Sequence, residues 1–267
     1  MFCRRHLLGG ILSTSALGAL TFAGVSAGRA ASTTPLVAAA SSLRFALPEI
    51  TSAFAEEVGF APRFSFGSSG NLARQIRQGA PFELFLSADE ALVLALSQDR
   101  HTLDEGILYA LGQLAIFAPN GAPIEADAEL IGIKAALARG ELRNFAIANP
   151  DHAPYGRAAR ETLQHASIWG AIKSRLVFGE NVSQAAQFAI SGSCDGALIS
   201  HSLAASPRFA DRGAFEIVPQ AWHGPLRHRM ALLPSANEEA KQFYSFLGSA
   251  KARTIFSQHG FSTPGDR

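Results

Sequence analysis

Apolar positions along this chain fall into short solid runs, alternating with longer stretches in which they recur every three or four residues. "LVAAA" (36–40) reads as a buried strand. The following "SSLRFALPEITSAFAEEVG" puts Leu43, Leu47, Ile50 and Phe54 on one helical face and stops at Gly59. "APRFSF" (61–66) is the next strand, and "NLARQIRQG" a short helix ended by Gly79 and Pro81. "FELFL" (82–86) is a third strand, after which Ser87 and Glu90 are spaced as a capping box for another helix. Such alternation predicts an α/β fold, a mostly parallel sheet with helices on its faces.

The rhythm continues. "QLAIFAP" (113–119), "FAIANP" (145–150), "SRLVFG" (174–179), "DGALIS" (195–200) and "HRMALLP" (228–234) read as strands. "YGRAARETLQHASIWGAI" (155–172), "NVSQAAQFAIS" (181–191, with an Asn cap), "NEEAKQFYSFLGS" and "KARTIFSQHG" read as helices. These are enough elements for two α/β units. No Pro/Ser-rich linker divides them, so a second lobe is expected to be inserted into the first and joined to it by strands.

The first 31 residues differ from the rest. Arg4 and Arg5 precede a mildly apolar stretch from Leu7 to about Ala23, and Gly28 and Ala30 are spaced for cleavage near Ala30 or Ala31. This is the layout of an export signal of the twin-arginine kind. Gly9, Gly10, Ser13, Thr14, Ser15 and Gly18 make it too polar for a membrane anchor. The expected location is therefore the periplasm. The 23 Lys and Arg nearly balance the 22 Asp and Glu. Losing Arg4, Arg5 and Arg29 leaves 20 basic against 22 acidic side chains, a net charge of −2. No basic cluster is visible, and nucleic acid is not an expected partner. Cys3 departs with the signal and Cys194 remains alone, so no internal disulfide is available.

Candidate chemistry lies where strands give way to helices, the place where open α/β sheets bind ligands. Ser41 and Ser42 follow the first strand, and Ser68 and Ser69 the second, within "FGSSGN". Pro154, Tyr155 and Gly156 open the helix at 155, and Asn181 and Val182 the helix at 181. Any one such loop reads most simply as an ordinary cap. Four together offer free N–H groups and hydroxyls with no Asp or Glu at the donor positions, although Asp151 and Glu180 lie near. A fully ionised tetrahedral oxyanion needs only donors, whereas a protonated one also needs an acceptor. Arg44, Arg74 and Arg157 sit further into their helices and are expected on outer, solvated faces.

"AAASSL", "FSFGSSGNLARQIRQGAPFELFLSADE", "IANPDHAPYGRAARETL" and "IFSQHGF", taken in order over residues 36 to 261, closely resemble the periplasmic molybdate-binding proteins of ABC transporters. The resemblance implies a type II periplasmic binding fold: two α/β lobes with mostly parallel sheets and two crossover strands. Lobe I would comprise residues 32–113 plus 226–267, and lobe II residues 114–225. The ligand implied is molybdate or tungstate, with no cofactor, no cation-binding metal site and a monomeric receptor serving an ABC membrane permease. The ligand-binding residues implied are Ser41 or Ser42 and Ser69 from lobe I, and the backbone N–H groups of Tyr155 and Val182 from lobe II. In one branch of the family a strand tyrosine also binds. Ile199 stands at that place, and the hydroxyl of Tyr155 is a candidate replacement.

Other readings compete with this one. Sulfate or another tetrahedral oxyanion fits the same donors, and a non-transport sensor could use the same fold. An enzyme fits poorly. His201 between Ser200 and Ser202 lacks a G-x-S-x-G elbow, and Cys194 beside Asp195 reads as an incidental buried thiol. The histidines show no zinc spacing. Tyr109, Tyr155 and Tyr244 are never adjacent, which argues against ferric capture by paired tyrosines.

Overall fold

The computed structural model describes residues 34–264; the segment read as an export signal lies outside the described residues. The chain runs through β1 (Leu36–Ala40), α1 (Ala46–Val58), β2 (Arg63–Gly67), α2 (Ser69–Arg77), β3 (Leu84–Ser87), α3 (Glu90–Gln98) and β4 (Ile107–Gly112). It continues through β5 (Leu114–Pro119), α4 (Ile131–Arg139), β6 (Phe145–Ala148), α5 (Pro154–His165), α6 (Trp169–Ile172), β7 (Leu176–Gly179) and α7 (Val182–Ile190). The last part comprises β8 (Ala197–Ser200), α8 (His201–Ala204), α9 (Pro207–Ala210), β9 (Gly213–Ile217), β10 (Leu226–Leu232), α10 (Glu238–Leu247) and α11 (Ala250–Gln258).

Two five-stranded sheets result, ordered β2-β1-β3-β10-β4 and β7-β6-β8-β5-β9. The two orders repeat one pattern: three parallel strands, a fourth antiparallel to them, and a fifth antiparallel to the fourth. Each sheet anchors one lobe. The chain leaves the first sheet between β4 and β5 and returns between β9 and β10, so two strand connections join the lobes.

In β1 alternate residues face opposite helix layers. Val37 and Ala39 pack with Leu43, Leu47, Ile50 and Phe54, while Ala38 packs with Leu72, Ala73 and Ile76. Small side chains on this central strand let helices approach from both faces. Phe54 of α1 meets Phe60, Phe243 and Phe246 at ring-centroid distances of 5.0, 5.1 and 5.3 Å, which fastens the C-terminal α10 to the first lobe.

Several local expectations are corrected. The first predicted helix opens as a separate 3-10 turn, Ser41–Leu43, ahead of α1. The helix expected over 155–172 breaks into α5 and α6 around Ser167, which has φ 60°. The cap of α3 is Asp89, whose carboxylate accepts from Ala91 N at 2.9 Å, while Ser87 Oγ is engaged with the Asp89 backbone. The strands β4 and β9 and the helix α4 were not among the expected elements. The first turn of α4 is capped from a distance by Asp127, whose carboxylate accepts from Ile131 N at 2.8 Å and Gly132 N at 2.7 Å. No capping residue therefore stands directly before it.

Truncating Phe54 to Ala removes the ring that joins α1 to α10. We expect a loss of about 3–5 kcal/mol in urea unfolding. A loss below about 1 kcal/mol would show that these rings are not the fastening.

Candidate functional site

At the carboxyl end of β1, Ser41 and Ser42 are buried in the 3-10 turn, which has no side-chain cap. Ser41 Oγ accepts from Ser183 N at 3.4 Å, and the Ser41 carbonyl accepts from Ser183 Oγ at 2.9 Å. The Ser42 carbonyl accepts from Ser202 Oγ at 2.8 Å, while Ser42 Oγ is buried without a partner. A buried hydroxyl left unpaired is costly and marks a place where a partner is missing.

At the end of β2, Ser68 occupies the N-cap of α2 without capping it, and its Oγ instead meets His152 Nδ1 at 2.8 Å. Ser69 Oγ accepts from Ala88 N at 2.9 Å. That bond uses an oxygen lone pair, so the hydroxyl proton remains available to a ligand. In the other lobe, α5 starts with Pro154 and has no side-chain cap, leaving the first-turn N–H of Tyr155 without an intrahelical partner. On α7 the Asn181 side chain accepts from Gln184 N at 3.1 Å, which leaves the N–H of Val182 equally unserved within its helix.

Ser41, Ser42, Ser69, Tyr155 and Val182 thus come from four separate loops and line one cavity of about 10 Å³. That is smaller than the roughly 300–1,000 Å³ typical of organic-ligand pockets. No charged side chain lines it. Three helix N-termini adjoin it, a positive environment assembled from neutral groups.

The lobes meet around this cavity. Gly70 N donates to the His152 carbonyl at 2.9 Å, Asn71 bonds Glu180, and Arg157 pairs with Asp89. Arg157 was expected on a solvated outer face; it bridges the lobes instead. Gly70 is required by this approach, because a Cβ there would lie 2.5 Å from the His152 carbonyl oxygen.

Beneath the cavity runs a buried chain that sequence reasoning missed. His228 on β10 is 0% exposed, with Nε2 3.3 Å from the Tyr155 hydroxyl and Nδ1 3.4 Å from that of Tyr109. Burial pushes its pKa down to about 3 and raises both phenols well above their ordinary value. The Ser42 hydroxyl, a neighbour of the Tyr155 phenol, offsets part of that rise. The one signal for His228 was a titratable residue within an apolar strand. Ile199 is fully buried in β8 and offers the cavity no donor.

The residues considered for catalysis are otherwise occupied. His201 is partly buried, with Nδ1 3.2 Å from both Gln113 Oε1 and the Gly260 carbonyl; burial lowers its pKa. Burial, with Asp195 alongside, pushes the Cys194 thiol up to about 11, so little thiolate forms at neutral pH. Among the described residues no group of His, Cys, Asp and Glu is placed to hold a metal ion, and no helix is long and apolar enough to cross a membrane.

Two predictions follow from this geometry. Gly70→Ala should hold the lobes apart and weaken ligand binding about tenfold or more while unfolding barely changes; normal affinity would mean that the Gly70–His152 contact is not part of closure. His228 is neutral in the folded protein, whereas an unfolded histidine takes up a proton near pH 6.5. Between about pH 6.5 and 3 the unfolded state then binds the extra proton. Stability should fall as pH falls through this window, by up to about 1.4 kcal/mol per unit. Denaturant titrations at several pH values should show this slope flattened in His228→Gln.

Known proteins were compared with the chain and its structure. The model for the bacterial extracellular solute-binding proteins matches residues 35–262. Molybdate-binding protein ModA of Rhodobacter capsulatus is 32% identical over 224 residues, covering 80% of this chain and 82% of that protein. The periplasmic molybdate-binding protein of Azotobacter vinelandii superposes with a TM-score of 0.78 at 28% identity, covering 86% of this chain and 99% of the other. The sulfate-binding protein SubI of Mycobacterium tuberculosis shares the fold, with a TM-score of 0.71 at 15% identity, 88% of each chain being covered. The chain therefore belongs to the bacterial extracellular solute-binding proteins, a family of receptors and not of enzymes.

Proposed function

We propose that this protein is an exported, periplasmic receptor that binds molybdate, and tungstate as a second ligand, between its lobes and delivers it to an ABC importer. The observation that carries this reading is the cavity: small, uncharged, and bordered by Ser42, Ser69 and the first-turn residues Tyr155 and Val182. A doubly charged tetrahedral anion loses its hydration on entering such a space, and convergent N–H and O–H donors at helix N-termini replace it. A protonated phosphate would find no carboxylate to accept its hydrogen.

The relatives whose names specify molybdate support the choice among oxyanions. In the first loop Ser42 Oγ is unpaired and Ser41 Oγ only accepts, from Ser183 N, so the hydroxyl proton of either serine is available to the anion. Closure follows binding: an anion held by Ser42 and Ser69 draws in the N-termini of α5 and α7, and the permease reads the closed pair of lobes. Sulfate has the same charge and shape, and its shorter bonds to oxygen leave cavity size to discriminate.

Calorimetric titration of the mature protein with molybdate, tungstate, sulfate and phosphate at equal ionic strength tests this directly. One-to-one binding of molybdate and tungstate, with sulfate and phosphate weak, is expected. Equal affinity for sulfate would overturn the molybdate assignment. Ser69→Asp places a carboxylate against the anion and should abolish binding; retained affinity in that variant would remove Ser69 from the site.

A further inference from the structure

Binding an anion does not by itself require a histidine buried between two tyrosines. His228 is enclosed by elements of both lobes: Tyr109 from β4, Tyr155 from α5, and the ring of Phe261 edge-on at 5.1 Å. Gly112 makes room for it, because a Cβ there would lie 2.9 Å from Nε2 and would also collide with the Tyr155 hydroxyl. The arrangement is therefore built, not left over from packing.

Its protons have one consistent order. A neutral imidazole has one nitrogen that donates and one that accepts. Among the described residues, the Tyr109 hydroxyl bonds only His228 Nδ1. Were Nδ1 protonated, Tyr109 would have to accept, and its own proton would be buried without an acceptor, the costlier of the two defects. Tyr109 therefore donates to Nδ1, and Nε2 carries the hydrogen and donates to the Tyr155 oxygen. No hydrogen bond joins Tyr155 to Ser42 in the structure, but both line the cavity and Ser42 Oγ has no partner, so Ser42 is the neighbour placed to take the Tyr155 proton and keep its own for the ligand. Each link hands a donor to the next.

We propose that His228 is a positioning residue that fixes the direction of the chain Tyr109→His228→Tyr155→Ser42, so that Ser42 meets the ligand as a donor only. Held this way, Ser42 favours an anion without protons and disfavours one that must donate. The consequence for selectivity rests on the oxyanion reading above. The direction of the chain does not, because it follows from the buried groups alone. It also gives the Tyr155 hydroxyl a task other than direct contact in place of the missing strand tyrosine.

The direction can be read without any ligand, by nitrogen-15 NMR of the imidazole in the anion-free protein. A neutral ring protonated at Nε2 is expected for His228; a ring protonated at Nδ1 overturns the proposal. Calorimetry then reads the consequence. Tyr109→Phe, remote from the cavity, should weaken molybdate binding about three- to tenfold and narrow its preference over phosphate. His228→Leu should do the same more strongly, and His228→Gln, which keeps an N–H donor, should recover most of the preference. Unchanged ratios in folded Tyr109→Phe and His228→Leu would reduce the chain to packing and overturn the proposal. If the wild-type protein bound none of the anions, the oxyanion reading would fall while the NMR result still decided the direction.

Discussion

A helix leaves the N–H groups of its first turn without partners, and a fold that buries several such turns together must find acceptors for them. The N-termini of α2, α5 and α7, from two different lobes, converge in this protein on a space with no charged side chain. Much else in the structure serves that convergence. Asn181 satisfies one donor of its own helix and leaves Val182 unserved. Ser68, at the N-cap of α2, gives its hydroxyl to His152 across the interface and leaves the helix uncapped. Of the three ends only α7 has a side-chain cap; those of α2 and α5 stay open, and hydroxyls border the space.

Keeping them open makes closure a matter of close approach between backbones. Gly70 against the His152 carbonyl and Ser183 against Ser41 are contacts with little side chain between the lobes. The Arg157–Asp89 ion pair and the Asn71–Glu180 hydrogen bond lie outside the cavity wall, where water screens them and each contributes little. Placed inside, the same charges would either repel an anion or bind it without regard to its protonation. The division between neutral wall and charged lip is what permits a site to choose by shape and proton content.

Legibility in the sequence follows the same line. The parallel strands and their helices were readable because solid apolar runs and 3.6-residue periodicity report burial directly, as in "LVAAA" and the face Leu43–Leu47–Ile50–Phe54. Any one of the four loops read as an ordinary cap, and they stood out only as a set with no acidic residue at the donor positions. What escaped was non-local. Asp127 caps α4 from four residues ahead of Ile131, Arg157 finds Asp89 across 68 positions, and His228 meets Tyr109 and Tyr155 only once two strands and a helix are assembled. Local spacing carries no record of such partners.

His228 also shows why a buried titratable residue need not act by titrating. Its burial holds it neutral, and the same burial keeps the two phenols protonated, so the trio does not change charge near neutral pH. What a neutral imidazole retains is asymmetry, one nitrogen giving and the other taking. A serine alone at the cavity wall could turn its hydroxyl either way and would serve a proton-bearing ligand as readily as a bare one. Coupled through Tyr155 to a ring whose far side is fixed by Tyr109, it loses that freedom. The constraint that leaves helix N–H groups open as donors is thereby extended to a side chain, and the cavity presents one kind of hydrogen-bonding partner throughout.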